Sequence, residues 1–170
     1  MVIDDNSTNT GGFSASSGWN PVATGGYNGD LRHRTNSSSE TGWAKWKATV
    51  PIRTVYEIQV FIPAYPANYE TVRTHAANYQ IYNNGQLIRN VIVDQHRVGI
   101  HINDNGVIDG RESKWVSLGR YEFYAGSNSY VRLTNARPAI CDNATDSTCS
   151  QWYSESSKMI VVDAARFYAN

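Results

Sequence analysis

The sequence predicts an all-β domain, an antiparallel, jelly-roll-like β-sandwich of about nine strands. Helical periodicity is nearly absent from the 170 residues. Short segments rich in β-branched and aromatic residues follow one another instead, and Gly, Asn and Pro mark the turns between them. Parallel neighbours need a long crossover connection, usually a helix, and no segment between the strands has a helical pattern. The strands are therefore expected to be antiparallel.

Four strands are predicted in the first third of the chain. Val2 to Asp4 opens it, a turn-rich stretch follows, and Asp30 to Thr35 is a short second strand. Residues 42–50 alternate, which places Trp46 on the inward side and Trp43 on the opposite side. Tyr56 to Ile62 alternates in the same way, and prolines end both of these strands.

Five further strands are predicted in the remaining two thirds. Asn83-Asn84-Gly85 is a strong hairpin signal, because this turn needs residues that tolerate positive φ. It joins Asn78 to Tyr82 with Gln86 to Val93. The last three predicted strands are Trp115 to Phe123, Tyr130 to Thr134 and Met159 to Phe167.

Composition limits the partner classes. The length suits one domain over residues 1–170, and the formal net charge is zero with 18% charged residues. A nucleic-acid partner calls for a basic excess, so none is expected. A membrane partner is not expected either, because no apolar run reaches 18 residues. Eleven Tyr and five Trp are many for this length, and exposed aromatic faces stack on sugars.

The two cysteines, Cys141 and Cys149, lie in a long polar loop. A local disulfide that closes this loop is the preferred interpretation, and two free thiols are the alternative. A disulfide would place the protein in an oxidising compartment, as a secreted or cell-surface protein. No signal peptide follows Met1, so we expect a domain excised from a larger secreted protein.

A set of short motifs follows a definite order along the chain. These segments are Val2 to Asp5, Phe13 to Trp19, Gly26 to Gly29 with Arg32 and His33, Trp46 to Pro51, Tyr56 to Ala64, Asn83 to Gly85, Val93 to Gln95, Trp115 to Gly119, and Asp163 to Phe167. The ordered set resembles the golvesin/xanthan-lyase-type domains, a family of extracellular bacterial β-sandwich modules. The resemblance implies a jelly-roll-like fold and an accessory, carbohydrate-binding role beside a catalytic or surface domain. Residues 96–114 and 136–158 lengthen two loops beyond the family pattern, and protein-specific function is expected there.

Four aromatic residues are candidate sugar platforms. Trp43 lies on the outward side of its strand, whereas Trp46 and Trp115 are expected to be structural. Tyr65 and Tyr69 lie in a proline-containing loop, and Trp152 follows the cysteine loop. Large exposed aromatics indicate a binding surface. The alternative for each is packing under its own loop.

A polar groove is the second candidate site. It would form if the segment 27–35 met the loop 63–77 at one end of the sandwich. A guanidinium fork suits bidentate capture of a carboxylate, so an acidic sugar would fit. Ordinary solvated surface charge is the alternative. The residues are Tyr27, Asp30, Arg32, Arg34, Arg73 and His75.

Two sets of oxygen ligands are candidates for calcium. Asn103, Asn105, Asp109 and Glu112 partly match a calcium loop, although His101 stands at its first position. A Gly- and Asn-rich hairpin turn is the alternative. Separately, Asp4, Asp5 and Asp163 could meet if the first and last strands pair, or they could cap turns.

The predicted function is non-catalytic recognition of a polysaccharide by a module that targets an attached enzyme or surface protein. No His-Glu-x-x-His or Gly-x-Ser-x-Gly motif is present. A structural or protein-interaction module next to neighbouring domains is the first alternative. A small glycan-active lyase or hydrolase is the second, since two carboxylates that meet only in space would suffice.

Overall fold

A computed structural model describes residues 1–6, 12–64, 73–126, 128–138 and 157–169, with the side chain of Asp109 excluded. Within these ranges the chain forms 14 strands, and no helix there is long and apolar enough to cross a membrane. In chain order the strands are β1 (Val2–Ile3), β2 (Phe13–Ala15), β3 (Asn20–Val22), β4 (Leu31–Thr35), β5 (Trp43–Ala48), β6 (Thr54–Ile62), β7 (Ala77–Asn83), β8 (Gln86–Val93), β9 (Ile100–Ile102), β10 (Ile108–Arg111), β11 (Lys114–Phe123), β12 (Ser129–Thr134), β13 (Met159–Val162) and β14 (Ala165–Ala169).

The strands form two large sheets and two small ones. One large sheet has the order β1-β14-β6-β11, and the other has the order β2-β5-β12-β7-β8. The smaller sheets are β13-β4-β3 and the hairpin β9-β10. Every pairing between these strands is antiparallel. The predicted antiparallel β-sandwich is confirmed.

The core lies between the inward faces of the two large sheets. Alternation along β6 buries Tyr56, Ile58, Val60 and Ile62, and alternation along β5 buries Trp46. Buried residues from both sheets form one apolar cluster. The prediction that Trp46 belongs to the core is confirmed.

Hydrogen bonds from the side chains of Gln95 and Trp46 hold the segment around β13 to this core. Gln95 is fully buried, and its amide nitrogen donates to the Val161 carbonyl (2.9 Å) and to the Tyr79 hydroxyl (3.0 Å). Its amide oxygen accepts from the Val161 N–H at 2.9 Å. The indole N–H of Trp46 donates to the carbonyl of Asp163 at 2.8 Å. The connection from β13 to β14 is therefore held at both ends.

The prediction of about nine strands is wrong, because the described chain has 14. Some additional strands, such as β2 and β3, have only three residues and lie in the turn-rich segment. Partner strands stabilise such short pieces, so their own sequence carries no periodic signal. The predicted strand Met159 to Phe167 is two strands, because the chain leaves the β4 edge after Val162 and joins β6 at Ala165. The apolar run continues through the break and conceals it.

Candidate functional site

The outward surface of the β1-β14-β6-β11 sheet carries a continuous row of aromatic and polar side chains. Since β6 buries every second residue, Glu57, Gln59 and Phe61 face outward. The register places Trp115 of β11 beside Phe61. It also places Arg166 and Tyr168 of β14 beside Gln59 and Glu57. Three adjacent strands therefore build this surface from one sheet face.

Three aromatic rings meet at one end of this row. The centroid of Tyr27 lies 5.5 Å from that of Phe61 and 5.3 Å from that of Trp115. Phe61 and Trp115 are 5.1 Å apart, and all three contacts are edge-to-face. Tyr27, contributed by the loop before β4, is 41% exposed. Edge-to-face packing fixes the tilt of each ring and leaves part of each ring surface accessible.

Arg166 extends the row along the sheet. Its guanidinium carbon lies 4.1 Å from the Trp115 ring centroid and 4.6 Å from that of Tyr168. Its Nε and Nη2 donate to the Gln59 side-chain oxygen at 2.9 and 2.6 Å. The Tyr168 hydroxyl donates to the same oxygen at 3.3 Å. We call Tyr27, Phe61, Trp115, Arg166 and Tyr168 together the ring face.

Glu57 supplies a negative charge at the end of the ring face. Its carboxylate accepts a hydrogen bond from the Gln59 amide at 2.7 Å. This bond, followed by bonds from Ser117 and Arg120, holds the pKa of Glu57 below its usual range. Glu57 is therefore ionised at neutral pH. The surface offers apolar ring planes, a guanidinium and a carboxylate side by side.

The other large sheet also has an outward aromatic surface, and it contains the predicted residue Trp43. The Lys45 ammonium lies 5.6 Å from the Trp43 ring centroid, and the Arg132 guanidinium lies 5.8 Å from it. Further along, Tyr82 and Tyr130 stack with their centroids 4.5 Å apart. The rings of Trp43 and Tyr27 therefore lie on the outward surfaces of different sheets.

The predicted groove residues near β4 are bound within the protein. The Arg32 guanidinium donates to the Asp5 carboxylate and carbonyl, at 3.0 and 3.2 Å. Arg34 donates to the carbonyls of Ser17 and Thr41. The negative charge of Asp30 raises the pKa of Asp5. Both guanidinium groups therefore fasten neighbouring segments to β4.

Arg73 and His75 lie on the other side of β13 from β4. Arg73 forms a bridge with Met159, is fully buried, and donates to the Pro63 carbonyl at 2.7 Å. His75 contacts the Asp94 carboxylate through Nδ1 at 2.9 Å, and its ring lies 4.3 Å from that of His96. The structure thus separates these two residues from Arg32 and Arg34 by a strand. The other predicted residues, Tyr65, Tyr69, Trp152, Cys141 and Cys149, lie outside the described residues.

Residues 100–111 form the β9–β10 hairpin. The side-chain oxygen of Asn103 accepts from the backbone N–H groups of Asn105 and Val107, at 3.1 and 3.0 Å. This is the Asx-type turn that Asn-rich loop tips adopt. Glu112 lies 2.6 Å from the Lys114 ammonium and 3.7 Å from His101. The Asp109 side chain is not described, so calcium at this hairpin stays a prediction.

Four aspartates meet beneath the loop that carries Tyr27. Because β1 pairs with β14, Asp4 and Asp5 come to lie beside Asp163. One ligand oxygen from each of these three buried residues lies within 4.8 Å of the others. Asp30 adds a fourth carboxylate nearby, and its charge acts on both Asp5 and Asp163. We call Asp4, Asp5, Asp30 and Asp163 the acidic cluster.

Burial dominates the electrostatics of the acidic cluster. The pKa of Asp163 is raised to about 8, chiefly by burial; the backbone hydrogen bond from Tyr27 opposes this rise, and the negative charges of the neighbouring aspartates add to it. Burial also raises the pKa of Asp5 to about 6, with Asp30 adding to the shift and Arg32 opposing it. These carboxyl groups therefore bind protons more tightly in the folded protein than in the unfolded chain.

Sequence reasoning missed most of the ring face. Trp115 was expected to be structural, and Phe61, Arg166 and Tyr168 were not singled out. A signal was present, because Phe61 occupies an outward position of the alternating segment that ends at Ile62. The pairing of β6 with β11 and β14 brings these residues together, and alternation within one strand does not specify its neighbours.

Comparison with known proteins places the chain in a family. Residues 1–146 match the model of the Golvesin C-terminal domain. No curated protein sequence matches the chain.

Solved structures with a similar fold include a xanthan lyase from Paenibacillus, at 19% identity and a TM-score of 0.65. The alignment covers 99% of this chain and 13% of the lyase chain, so this chain spans a small part of that protein. The CBM22-2 xylan-binding domain from Paenibacillus barcinonensis aligns at 9% identity and a TM-score of 0.47, over 100% of this chain and 99% of that domain. The K1 cleaved adhesin domain of Lys-gingipain from Porphyromonas gingivalis aligns at 14% identity and a TM-score of 0.45, over 100% of this chain and 98% of that domain. At these identities the likeness to the lyase concerns the fold.

Proposed function

The chain belongs to the Golvesin C-terminal domain family, and from this premise we propose that it is a non-catalytic module that binds a polysaccharide. In this role it holds an attached enzyme or surface protein close to its substrate. The observation that carries the proposal is the ring face, where Tyr27, Phe61 and Trp115 meet on one sheet surface with Arg166 beside them.

The ring face has the chemistry that a sugar chain requires. A pyranose ring presents apolar C–H groups on its faces and hydroxyls at its rim. Partly exposed aromatic rings supply the apolar contact, as in other ligand sites lined by aromatics with a few placed polar groups. Arg166, Gln59 and Glu57 lie along the same row and can bind hydroxyls. Arg166 also gives the surface a donor for an acidic sugar.

The ionisation of the carboxylates supports a non-catalytic role. A general acid in glycoside hydrolysis needs a raised pKa and contact with the substrate. Glu57, at the end of the ring face, has a lowered pKa. The carboxyl groups with raised pKa values, Asp5 and Asp163, are only 2% and 1% exposed, so a polysaccharide cannot reach them.

Location and partners follow from this role. A polysaccharide-binding accessory module acts outside the cell, so we propose a secreted or cell-surface protein in which this domain neighbours others. The predicted disulfide between Cys141 and Cys149 is part of this proposal. The near-neutral charge of the chain gives no reason to propose a nucleic-acid partner.

Replacing Trp115 by Ala should weaken polysaccharide binding by roughly 5- to 150-fold, because the central ring of the ring face is lost. Loss of an aromatic that stacks on a nucleic-acid base typically removes ~1–3 kcal/mol of binding free energy, and a similar loss is expected for a stacked sugar ring. The measurement is affinity electrophoresis and calorimetry against a panel of neutral and acidic soluble polysaccharides. Thermal unfolding of the same variant checks that the domain remains folded.

Two matched variants make this test specific. Trp43→Ala removes an aromatic from the other large sheet and should leave binding unchanged. Tyr124→Ala removes an exposed tyrosine that packs only on Arg53 in the described contacts, and it too should be neutral. If Trp43→Ala abolishes binding and Trp115→Ala does not, the ligand lies on the opposite sheet. If no polysaccharide binds the unmodified domain, the proposed function is wrong.

A further inference from the structure

The acidic cluster brings carboxylates together in a largely buried region. One ligand oxygen each from Asp4, Asp5 and Asp163 lies within 4.8 Å of the others, the charge of Asp30 acts on Asp5 and Asp163, and Arg32 contacts Asp5. Buried carboxylates in proteins are paired or coordinate metal ions, because an isolated buried charge is strongly unfavourable. Carboxylates this close together favour a bound cation or bound protons.

One oxygen of the cluster lacks the partner that its burial demands. The Asp5 side chain is fully buried, and its Oδ2 accepts from Arg32. Its Oδ1 is also inaccessible to solvent and has no hydrogen-bond partner among the described residues. The Oδ1 of Asp30 is in the same condition. An unsatisfied buried acceptor is costly, and more so when it is charged. The Asp5 oxygen, which belongs to the group of three close carboxylates, is therefore available as a ligand.

The chemistry of the coordinating atoms indicates which class of metal ion the cluster would bind. Every candidate ligand is a carboxylate oxygen, which favours a hard cation and disfavours metals that prefer nitrogen or sulfur. Calcium binds oxygen at about 2.3–2.6 Å in flexible geometry, so oxygens on opposite sides of the ion are about 4.6–5.2 Å apart. The three ligand oxygens of Asp4, Asp5 and Asp163 lie within 4.8 Å of one another, close enough for all three to bind one ion. Magnesium is smaller and demands near-ideal octahedral geometry.

We propose that Asp4, Asp5 and Asp163 form a calcium site beside the charge of Asp30, and that the bound ion fixes the loop that carries Tyr27 onto the ring face. The site lies where the end of β1, the loop before β4 and the β13–β14 connection meet. The consequence for ligand binding rests on the proposed function. The cation site itself does not.

The loop of residues 23–30 is built around the same carboxylates. The Tyr27 backbone N–H donates to both oxygens of Asp163, at 3.2 and 3.1 Å. The Asn28 amide donates to Asp4 at 2.7 Å. At Gly26 an added Cβ would lie 2.8 Å from an Asp163 oxygen and 1.5 Å from the Asp30 carbonyl oxygen. Only glycine permits this close approach, so the loop backbone packs directly against the cluster.

Calcium therefore acts on the ring face through the loop. An ion that draws Asp4 and Asp163 together fixes both side chains to which the loop is hydrogen-bonded. Tyr27 is the residue that joins the two regions, since its backbone binds Asp163 and its ring packs on Phe61 and Trp115. Losing the ion should loosen the loop while leaving the large sheets intact.

Calcium titration of the chelator-treated full chain tests the site without any polysaccharide. Calorimetry should show one calcium ion per chain, and calcium chloride should raise the melting temperature. Terbium should bind competitively with calcium and luminesce on excitation of tryptophan, because the Trp46 indole donates to the Asp163 carbonyl. Magnesium chloride at the same concentration should give a smaller thermal shift.

Asp5→Asn keeps the side-chain volume and should weaken calcium binding at least tenfold. Glu122→Gln, an exposed carboxylate paired with Arg53, is the matched control and should bind calcium normally. Should Asp5→Asn fail to fold, hydrogen exchange on the unmodified protein remains decisive. There, calcium should slow exchange of the Tyr27 amide.

Three results would overturn the proposal. They are absence of calcium binding by the unmodified chain, equal affinity in Asp5→Asn, and unchanged exchange of the Tyr27 amide when calcium is added. Calcium binding that Asn103→Ala abolishes and Asp5→Asn preserves would assign the ion to the β9–β10 hairpin instead. Calcium binding without any polysaccharide binding would leave this site standing and refute only the proposed function.

Discussion

Raising the pH from 6.5 to 8.5 should destabilise the metal-free domain by about 2 kcal/mol. Asp163 is responsible, because burial raises its pKa from 3.8 to about 8. The unfolded chain has already released this proton in that window, whereas the folded protein still holds it. The contribution of this bound proton to the free energy of unfolding is fully present below about pH 4 and is lost as the pH rises through about 8. Asp4, Asp5 and Asp30 face the group with negative charge, and Arg32 pairs with Asp5.

Urea unfolding in the presence of a chelator, at half-unit pH steps, measures this effect. Below pH 6.5 the half-buried His33, whose pKa burial lowers, acts in the opposite direction, so the window above 6.5 is the informative one. Asp163→Asn should remove most of the pH dependence. A free energy of unfolding that is level from pH 6.5 to 8.5 in chelator would show that Asp163 ionises normally.

Replacing Gln95 by Leu should cost about 3 kcal/mol or more of the free energy of unfolding. Leu has a similar size, but it leaves the N–H and carbonyl of Val161 and the hydroxyl of Tyr79 without their partner. Burial raises the pKa of Tyr79 far above its usual value. Its hydroxyl therefore remains a neutral group that needs a hydrogen bond.

Chemical denaturation measures the free energy of unfolding of Gln95→Leu and of the control variant Gln86→Leu against that of the unmodified domain. Gln86 is exposed at the start of β8, so its substitution should change the free energy of unfolding by less than about 0.5 kcal/mol. Since Gln95 fixes β13, the variant should also expose the connection that carries Asp163. A loss below 1 kcal/mol for Gln95→Leu would mean that water replaces the amide in the core.

Alternation along single strands made the sandwich predictable. The pattern in β5 and β6 identified both strands and placed Trp46 inside, because burial on one face of a sheet imposes a two-residue period. The break at Asp163 was not predictable in this way. Val162 and Ala165 are both buried, so the apolar run continues while the chain changes sheets.

Contacts between distant segments explain what was found and missed in the candidate sites. The meeting of Asp4, Asp5 and Asp163 was predicted on the condition that the first and last strands pair, and β1 does pair with β14. Asp30 was assigned to a different site, because nothing local connects it to the ends of the chain. Phe61 and Trp115 become neighbours only through the register of β6 and β11. Sequence periodicity identifies a face but leaves the adjacent strand open.

The hydrogen bonds to the Gln59 side-chain oxygen should reduce the entropy that is lost when a ligand binds the ring face. It accepts from Arg166 twice and from Tyr168 once, so two long side chains already hold one conformation before any ligand arrives. Immobilising such a side chain on binding typically costs about 0.5–1.5 kcal/mol. A ligand that meets them already ordered avoids much of this loss. Under the proposed function, a carbohydrate of matching shape should therefore bind more tightly, and the surface should adapt poorly to others.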